Sequence, residues 1–128
     1  MCTKIFPARI KLYAIINTKI DLSIKKGGMT MEYYAHTRED GERQTVKDHL
    51  VGVSKLAEDF SVDILKPLAK KASLYHDIGK YALNFQKRLD DDKVKFSHAA
   101  CGAIEYKTLA DKNDCFATLV EYCIAGHH

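Results

Sequence analysis

The stretch TVKDHLVGVSKLAEDF, residues 45–60, has the apolar spacing that decides the fold class. Its apolar residues recur at steps of three and four, which is the period of a helix with one buried face. Thr45 followed by Asp48 resembles a capping box with the shorter acid. The predicted buried face contains Val46, His49, Leu50, Val53, Leu56, Ala57 and Phe60. The sequence therefore predicts an α-helix that begins at Thr45.

Four more helices are predicted downstream, at about residues 65–78, 83–89, 97–109 and after 114. Pro67 is tolerated in the first turn of the 65–78 helix, and Gly79 is placed to end it. Ser97 is a typical N-cap. The predicted buried stripe of the 65–78 helix is Leu68, Ala69, Ala72, Tyr75 and His76, and that of the last helix is Phe116, Leu119, Val120, Cys123, Ile124 and His127. Residues 45–128 are thus predicted to form an all-α domain.

The first thirty residues have a different pattern. Apolar residues alternate over 10–16 and again over 20–24, which predicts a short strand or a hairpin. A competing interpretation is that Lys25-Lys26-Gly27-Gly28 is encoded by a purine-rich string that resembles a bacterial ribosome-binding site just before Met31. The natural start would then be Met31 or Met29, and residues 1–28 would be a translated leader. We therefore divide the chain into a leader or extension, 1–30, and one domain, 31–128.

Composition limits the class of protein. With 128 residues, 46% hydrophobic and 29% charged, the chain is predicted to be one globular domain rather than a disordered protein. The formal net charge is +3, but residues 1–30 hold six bases and one acid, and residues 31–128 hold 14 bases and 16 acids. The domain itself is therefore slightly acidic, so binding a phosphate would need local cations.

Cysteine spacing and hydropathy indicate the compartment. The four cysteines, Cys2, Cys101, Cys115 and Cys123, show no paired short spacing, which argues against a disulfide framework or a zinc ribbon. We expect a reduced, cytoplasmic protein in which Cys101 and Cys123 are small core residues. Charged residues interrupt the apolar stretch 5–24, so no membrane span is predicted.

The six histidines are the strongest chemical signal, because three of them fall on predicted apolar helix faces. One histidine on such a face is usually a hydrogen-bonded core residue. Several on converging faces favour a common partner, and a metal ion is a partner that binds several imidazoles at once. The adjacent pair His76-Asp77 adds a carboxylate that could bridge two cations, although the end of a helix can also use it to accept a salt bridge.

The order of these residues resembles the HD metal-dependent phosphohydrolase superfamily. The matching order is His49, then Tyr75-His76-Asp77-Ile78-Gly79-Lys80, then a single histidine, His98, and then Gly126-His127-His128. The chain is more closely similar to the HD nuclease domain of the nuclease-helicase of type I CRISPR systems. Further matches are Tyr34-Ala35-His36-Thr37, Asn84-Phe85-Gln86-Lys87-Arg88-Leu89, Phe96-Ser97-His98-Ala99-Ala100 and Ile124-Ala125-Gly126-His127-His128, so the resemblance spans residues 33–128.

The resemblance implies an HD-domain helical bundle around two divalent metal ions. It implies that His49, His76 and Asp77 bind one ion, and that Asp77, His98, His127 and His128 bind the other. It implies that Lys80 approaches the substrate phosphate, whereas a cation that favours a helix C-terminus is the alternative. His36 is expected at the pocket edge, on the substrate side or as a structural residue. Mn, Fe, Co or Ni suits so many imidazoles better than Mg.

The implied activity is hydrolysis of phosphodiester bonds in single-stranded DNA during CRISPR interference. The implied partners are the RNA-guided surveillance complex and a helicase that is absent from this chain. Two alternatives stay open: an HD phosphohydrolase acting on nucleotides or cyclic dinucleotides, and a non-catalytic metal-binding remnant. The family pattern adds an aspartate downstream of the double histidine, and this sequence ends at His128. We therefore expect a truncated domain with one well-occupied metal position and one that is weak or vacant. Two tightly bound ions would instead point to a replacement carboxylate, for which Asp48 and Glu121 are the first candidates.

Overall fold

The computed structural model describes residues 24–26 and 29–128. The strands are β1 Ile24–Lys26, β2 Met29–Met31, β3 Tyr34–Thr37 and β4 Arg43–Thr45. The α-helices are α1 Val46–Phe60, α2 Lys66–Tyr75, α3 Leu83–Asp90, α4 His98–Leu109 and α5 Ala117–Ala125, with short 3-10 helices at Asp63–Leu65 and Ile78–Tyr81. The described residues are mainly α-helical, which confirms the helical part of the predicted all-α fold. No helix in this part of the chain has the length and apolarity that crossing a membrane requires.

Two antiparallel hairpins precede the helices. β1 pairs with β2, so that Ile24 lies opposite Met31, and β3 pairs with β4, so that Tyr34 lies opposite Thr45. The β3–β4 hairpin is an addition to the predicted all-α domain, and its turn contains Gly41 at a φ of 87°. The strand predicted over residues 10–16, and the leader except for residues 24–26, lie outside the described residues.

Helix α1 begins as the sequence predicts. The Thr45 hydroxyl accepts a hydrogen bond from the Asp48 backbone N–H at 3.1 Å and donates one to the Asp48 carboxylate at 2.8 Å. Val46, Leu50 and Ser54 form the buried stripe. The prediction that Leu56 and Phe60 are buried is wrong, since they are 55% and 87% exposed. The buried residues of α1 advance four positions at a time. Leu56 and Phe60 therefore lie at the other edge of the predicted face, which points to solvent.

Helix α2 ends earlier than predicted. It stops at Tyr75 instead of Ile78, and His76 and Asp77 lie in a turn before the 3-10 helix Ile78–Tyr81. Gly79 is not the residue that ends α2. A Cβ at Gly79 would lie 1.9 Å from the backbone oxygen of His98, so glycine is required because the start of α4 packs directly on this 3-10 helix.

The core consists of two groups of buried residues that Tyr75 connects. One group joins β3, α1 and the 3-10 helix, and its members are Tyr33, Ala35, Val46, Leu50, Ile78 and Tyr81. The other joins α4 and α5, and its members are Ala103, Tyr106, Val120 and Ile124. Tyr75 packs against both groups, and its ring lies edge-on to Tyr106 with centroids 4.9 Å apart. The turn that carries His76 and Asp77 directly follows this connecting residue.

The outer face of α5 departs from the sequence prediction. Val120 and Ile124 are buried as predicted, whereas Phe116 and Leu119 are about half exposed and Cys123 is exposed. The prediction of a core position is therefore confirmed for Cys101 and wrong for Cys123. Among the described residues, helix α5 packs mainly on α4 and α2, so a narrow stripe of its apolar surface is covered.

Candidate metal centre

Four separate segments bring the predicted site residues together around Asp77. His49 comes from the first turn of α1, and His76 and Asp77 come from the turn after α2. His98 is the first residue of α4, and the pair His127 and His128 follows α5. This convergence of residues far apart in the chain is the arrangement that the histidine pattern predicts.

One carboxylate oxygen of Asp77 faces three nitrogen atoms. Asp77 Oδ2 lies 2.8 Å from His49 Nε2, 3.3 Å from His76 Nε2 and 2.8 Å from Lys80 Nζ. We call His49, His76 and Asp77 the first ligand group, because their ligand atoms lie within 4.8 Å of one another. This group offers two imidazoles and one carboxylate oxygen to a metal ion.

The other carboxylate oxygen faces the remaining histidines. Asp77 Oδ1 lies 3.0 Å from His98 Nε2 and 3.1 Å from His127 Nε2, and the Nε2 atoms of His98 and His128 are 2.6 Å apart. We call Asp77, His98, His127 and His128 the second ligand group. Their ligand atoms also lie within 4.8 Å of one another. Asp77 is therefore shared, with one oxygen directed to each group.

The ionised form of Asp77 is strongly favoured over the protonated form. Its side chain is only 5% exposed, and burial by itself would raise the pKa of the carboxyl. Hydrogen bonds from His49, His76, His98 and Lys80 outweigh burial and hold the pKa of Asp77 well below its usual range. The site therefore presents a buried anion at neutral pH, which attracts cations.

Hydrogen bonds to backbone carbonyls fix the ring orientation of two histidines. His76 Nδ1 donates to the Ser73 carbonyl at 2.5 Å, and His127 Nδ1 donates to the Ile124 carbonyl at 2.7 Å. In the neutral imidazole the proton is then on Nδ1, and Nε2 directs a lone pair at the Asp77 carboxylate. Two lone pairs facing each other require a cation between them, either a proton on the ring or a metal ion.

A proton on the ring is favoured at His76. Burial lowers the pKa of His76, but the hydrogen bonds to Asp77 and to the Ser73 carbonyl raise it further than burial lowers it, so the net shift is upward. A divalent ion would replace such protons, as it does when imidazole ligands bind metals. The ligand atoms of each group also lie close enough to share one ion, since they are all within 4.8 Å of one another. The residues present thus fit a metal ion.

His98 differs from His76 and His127 in the surroundings of its Nδ1 atom. Its Nδ1 has no hydrogen-bond partner among the described residues, and its ring lies edge-on to Phe85 with centroids 5.1 Å apart. A proton on Nδ1 would be buried without an acceptor, whereas a proton on Nε2 is within hydrogen-bond distance of Asp77. His98 therefore makes its polar contact with Asp77 through Nε2, the atom that faces the second ligand group.

Lys80 and His36 lie beside the two groups. Lys80 is buried against Asp77, and its ammonium also lies 5.5 Å from the centre of the Phe85 ring. The ring of His36 lies edge-on to that of His49, with centroids 5.6 Å apart, and it belongs to neither ligand group. Burial and the neighbouring His49 lower the pKa of His36. His36 thus lies beside the first ligand group, and its place at the pocket edge and its contact with substrate stay predictions.

The two candidate replacement carboxylates have other partners. Asp48 is bound to Thr45 at the start of α1, and Glu121 lies 3.3 Å from the Lys107 ammonium. Neither belongs to a ligand group among the described residues. Neither of them therefore supplies a replacement carboxylate among the described residues, where Asp77 is the carboxylate of both groups.

Gln86 is a residue beside the site for which the sequence analysis predicts no role. Its side-chain carbonyl accepts from the Tyr34 N–H at 2.9 Å, and its amide nitrogen donates to the carbonyls of Tyr34 and Lys80 at 3.0 and 2.7 Å. Gln86 thereby ties β3, which carries His36, to the 3-10 helix that carries Lys80. The available signal was its place in the matching stretch 84–89, which does not reveal these long-range contacts.

A comparison of the chain with protein-family models found no match, and comparisons with curated proteins and with solved structures found none either.

Proposed function

We propose that residues 31–128 form a metal-dependent phosphodiester hydrolase domain of the HD type, with up to two divalent ions at the ligand groups. The observation that carries the proposal is the position of Asp77. Each of its two oxygens faces imidazole nitrogens of a different ligand group. A carboxylate shared in this way is the arrangement that a two-metal site needs, because each oxygen can bind a separate ion.

In this proposal the protein residues have separate tasks. His49 and His76 hold one cation, and His98, His127 and His128 hold the other. The bound ions would supply positive charge beside a phosphodiester and lower the pKa of a bound water. The backbone carbonyls of Ser73 and Ile124 keep two of the imidazoles oriented. Lys80 would stabilise negative charge on the phosphate, from its place beside Asp77.

The donor set favours particular metals. Five imidazoles and one carboxylate make up the two ligand groups. The affinity of a nitrogen-rich site rises from Mn through Fe and Co to Ni, whereas Mg prefers oxygen ligands and keeps several waters. We therefore propose one of those four metals as the cofactor and expect Mg to support weaker activity.

For the substrate we propose single-stranded DNA, cleaved during type I CRISPR interference in the cytoplasm. The support is the resemblance over residues 33–128, above all the double histidine His127-His128 that follows the His76-Asp77 pair. The proposed partners are the RNA-guided surveillance complex and a helicase supplied in trans or missing from this sequence.

A second candidate function is metal binding without catalysis. One observation favours it: among the described residues Asp77 is the single carboxylate of both groups, and the first ligand group has three ligands. A weakly held first ion would leave one cation, which could not stabilise both the attacking and the leaving oxygen. Measured hydrolysis separates this candidate from the nuclease.

The ligand groups are expected to differ in affinity. Titration of the metal-free protein with Mn²⁺ should show one tight site, from the four-ligand group, and one weaker site, from the three-ligand group. His128→Ala should weaken the tight site by at least about tenfold, because it removes one of its ligands. His49→Ala should weaken only the other site. Calorimetry measures both, and equal effects of the two substitutions on one site would contradict the division into two groups.

Hydrolysis tests the function itself. With Mn²⁺ the protein is expected to cleave labelled single-stranded DNA faster than duplex DNA, and Asp77→Asn should remove the activity because it removes the shared charge. Asp59→Asn, an exposed substitution on α1, is the matched control and should retain full activity.

The products on a denaturing gel distinguish the alternatives. Cleavage of mononucleotides or cyclic dinucleotides without cleavage of DNA would assign the domain to the nucleotide phosphohydrolases. Stoichiometric metal binding without hydrolysis of any phosphodiester would favour the non-catalytic candidate.

A further inference from the structure

We propose that the groove between α3, α4 and the end of α5 is the binding site for the single-stranded DNA segment next to the cleaved bond. The groove encloses about 710 Å³, which is within the roughly 300–1,000 Å³ range of ligand pockets. Its lining includes Arg88, Lys95, Phe96, His98 and His128. The inference rests on the proposed function, because it names where that function's substrate lies.

The groove adjoins the candidate metal centre. His98 and His128 line it and also belong to the second ligand group. A strand that occupies the groove therefore lies against the second ligand group. The other described pocket, around Tyr106 and Tyr122, includes none of the ligand residues and is not a candidate for this role.

The chemistry of the groove fits a nucleic-acid strand. Arg88 and Lys95 supply two cations for the phosphate backbone. One guanidinium N–H of Arg88 donates to the Phe96 carbonyl at 2.8 Å, which holds the side chain against the groove wall and leaves its other donors for a phosphate. The half-buried ring of Phe96 offers a face on which a base can stack.

The start of α4 strengthens the positive potential. Ser97 caps this twelve-residue helix and lines the groove together with Ala99. The partial positive charge of a helix N-terminus favours an anion there. Asp92 also lines the groove, and its carboxylate opposes a phosphate. Removing a cation from the groove is therefore expected to weaken binding, and removing the Asp92 charge is expected to strengthen it.

Binding can be measured without hydrolysis. Fluorescence anisotropy of a labelled oligo(dT) is followed with metal-free protein in the presence of EDTA, over about 50 to about 200 mM salt. Lys95→Ala is expected to weaken binding several-fold and to reduce the slope of log affinity against log salt by about 0.7, the value for one phosphate contact to a single strand. Asp92→Asn is expected to tighten binding several-fold.

Matched controls use exposed charges outside the groove. Lys55→Ala and Asp59→Asn, both on α1, remove the same charges and are expected to leave the affinity unchanged. Thymidine monophosphate, supplied at the same nucleotide concentration, should compete poorly if several phosphates contribute. Strong competition by the mononucleotide would overturn the polynucleotide assignment.

Hydrolysis of bis(p-nitrophenyl) phosphate by the Mn²⁺-loaded protein separates the two proposals, because this small diester does not need the groove. If the diester is hydrolysed and both groove variants bind oligo(dT) like the unaltered protein, the groove assignment is wrong and the hydrolase stands. If the diester is not hydrolysed and the variants shift affinity in opposite directions, the groove stands and the hydrolase is wrong. Absence of oligo(dT) binding by the unaltered protein would also overturn the groove.

Discussion

Asp77→Ala is expected to weaken divalent-metal binding by about 100-fold or more at both ligand groups. The carboxylate belongs to both groups, and its two oxygens face four imidazoles and Lys80. Loss of an outer-shell partner of a metal ligand already lowers metal affinity by about 10–100-fold, and Asp77 is itself a ligand in both groups. Calorimetric titration with Mn²⁺ measures the loss.

Asp77→Asn keeps the shape of the side chain while removing its charge, so it shows whether a loss of binding reflects the charge or a damaged fold. Circular dichroism should show that its helix content is unchanged. Asp59→Ala on the exposed face of α1 should bind Mn²⁺ as the unaltered protein does. Normal Mn²⁺ affinity in folded Asp77→Ala would show that the histidines bind the metal without the shared carboxylate.

Gly79→Ala is expected to lower the free energy of unfolding by about 3 kcal/mol or more. The added Cβ would lie 1.9 Å from the oxygen, and 2.7 Å from the carbon, of the His98 carbonyl. Both atoms are backbone at the start of α4, so the clash cannot be relieved by rotating a side chain, and overpacking costs about 1–3 kcal/mol even where side chains can adjust. Urea unfolding followed by circular dichroism measures the change.

Gly52→Ala is the matched control for that substitution. Gly52 lies inside α1, and a Cβ there would meet no atom within 4 Å. Alanine in an open helix interior is expected to raise the free energy of unfolding by about 0.5–1 kcal/mol. Equal stability of the two variants would contradict the close packing of α4 on the 3-10 helix.

The helices were predictable because local spacing determines them. Apolar steps of three and four residues place α1, and the N-caps Thr45 and Ser97 fix the starts of α1 and α4 through bonds to residues three positions away. The end of α2 was not predictable in this way. Gly79 has the position of a helix-terminating glycine, but the reason for glycine there is a contact with His98, nineteen positions along the chain.

The identity of the site residues was also predictable, whereas the contacts that connect the site to the rest of the fold were not. The histidines and Asp77 that the sequence groups together do lie within one cluster, since all of them sit on inward faces or helix ends. The contact of Gln86 with β3 spans 52 positions and leaves no periodic signal. The exposure of Leu56, Phe60 and Cys123 depends on which neighbouring elements cover each helix, and a single amphipathic pattern does not contain that information.

Equilibrium dialysis of the metal-free protein against Mn²⁺ at neutral pH, followed by elemental analysis, tests the metal centre most directly. The predicted result is one Mn²⁺ retained per chain at low free metal and a second only at higher concentration, with none retained by Asp77→Ala. A chain that retains no more Mn²⁺ than Asp77→Ala does would show that protons and Lys80, rather than a metal ion, balance the charge of this cluster.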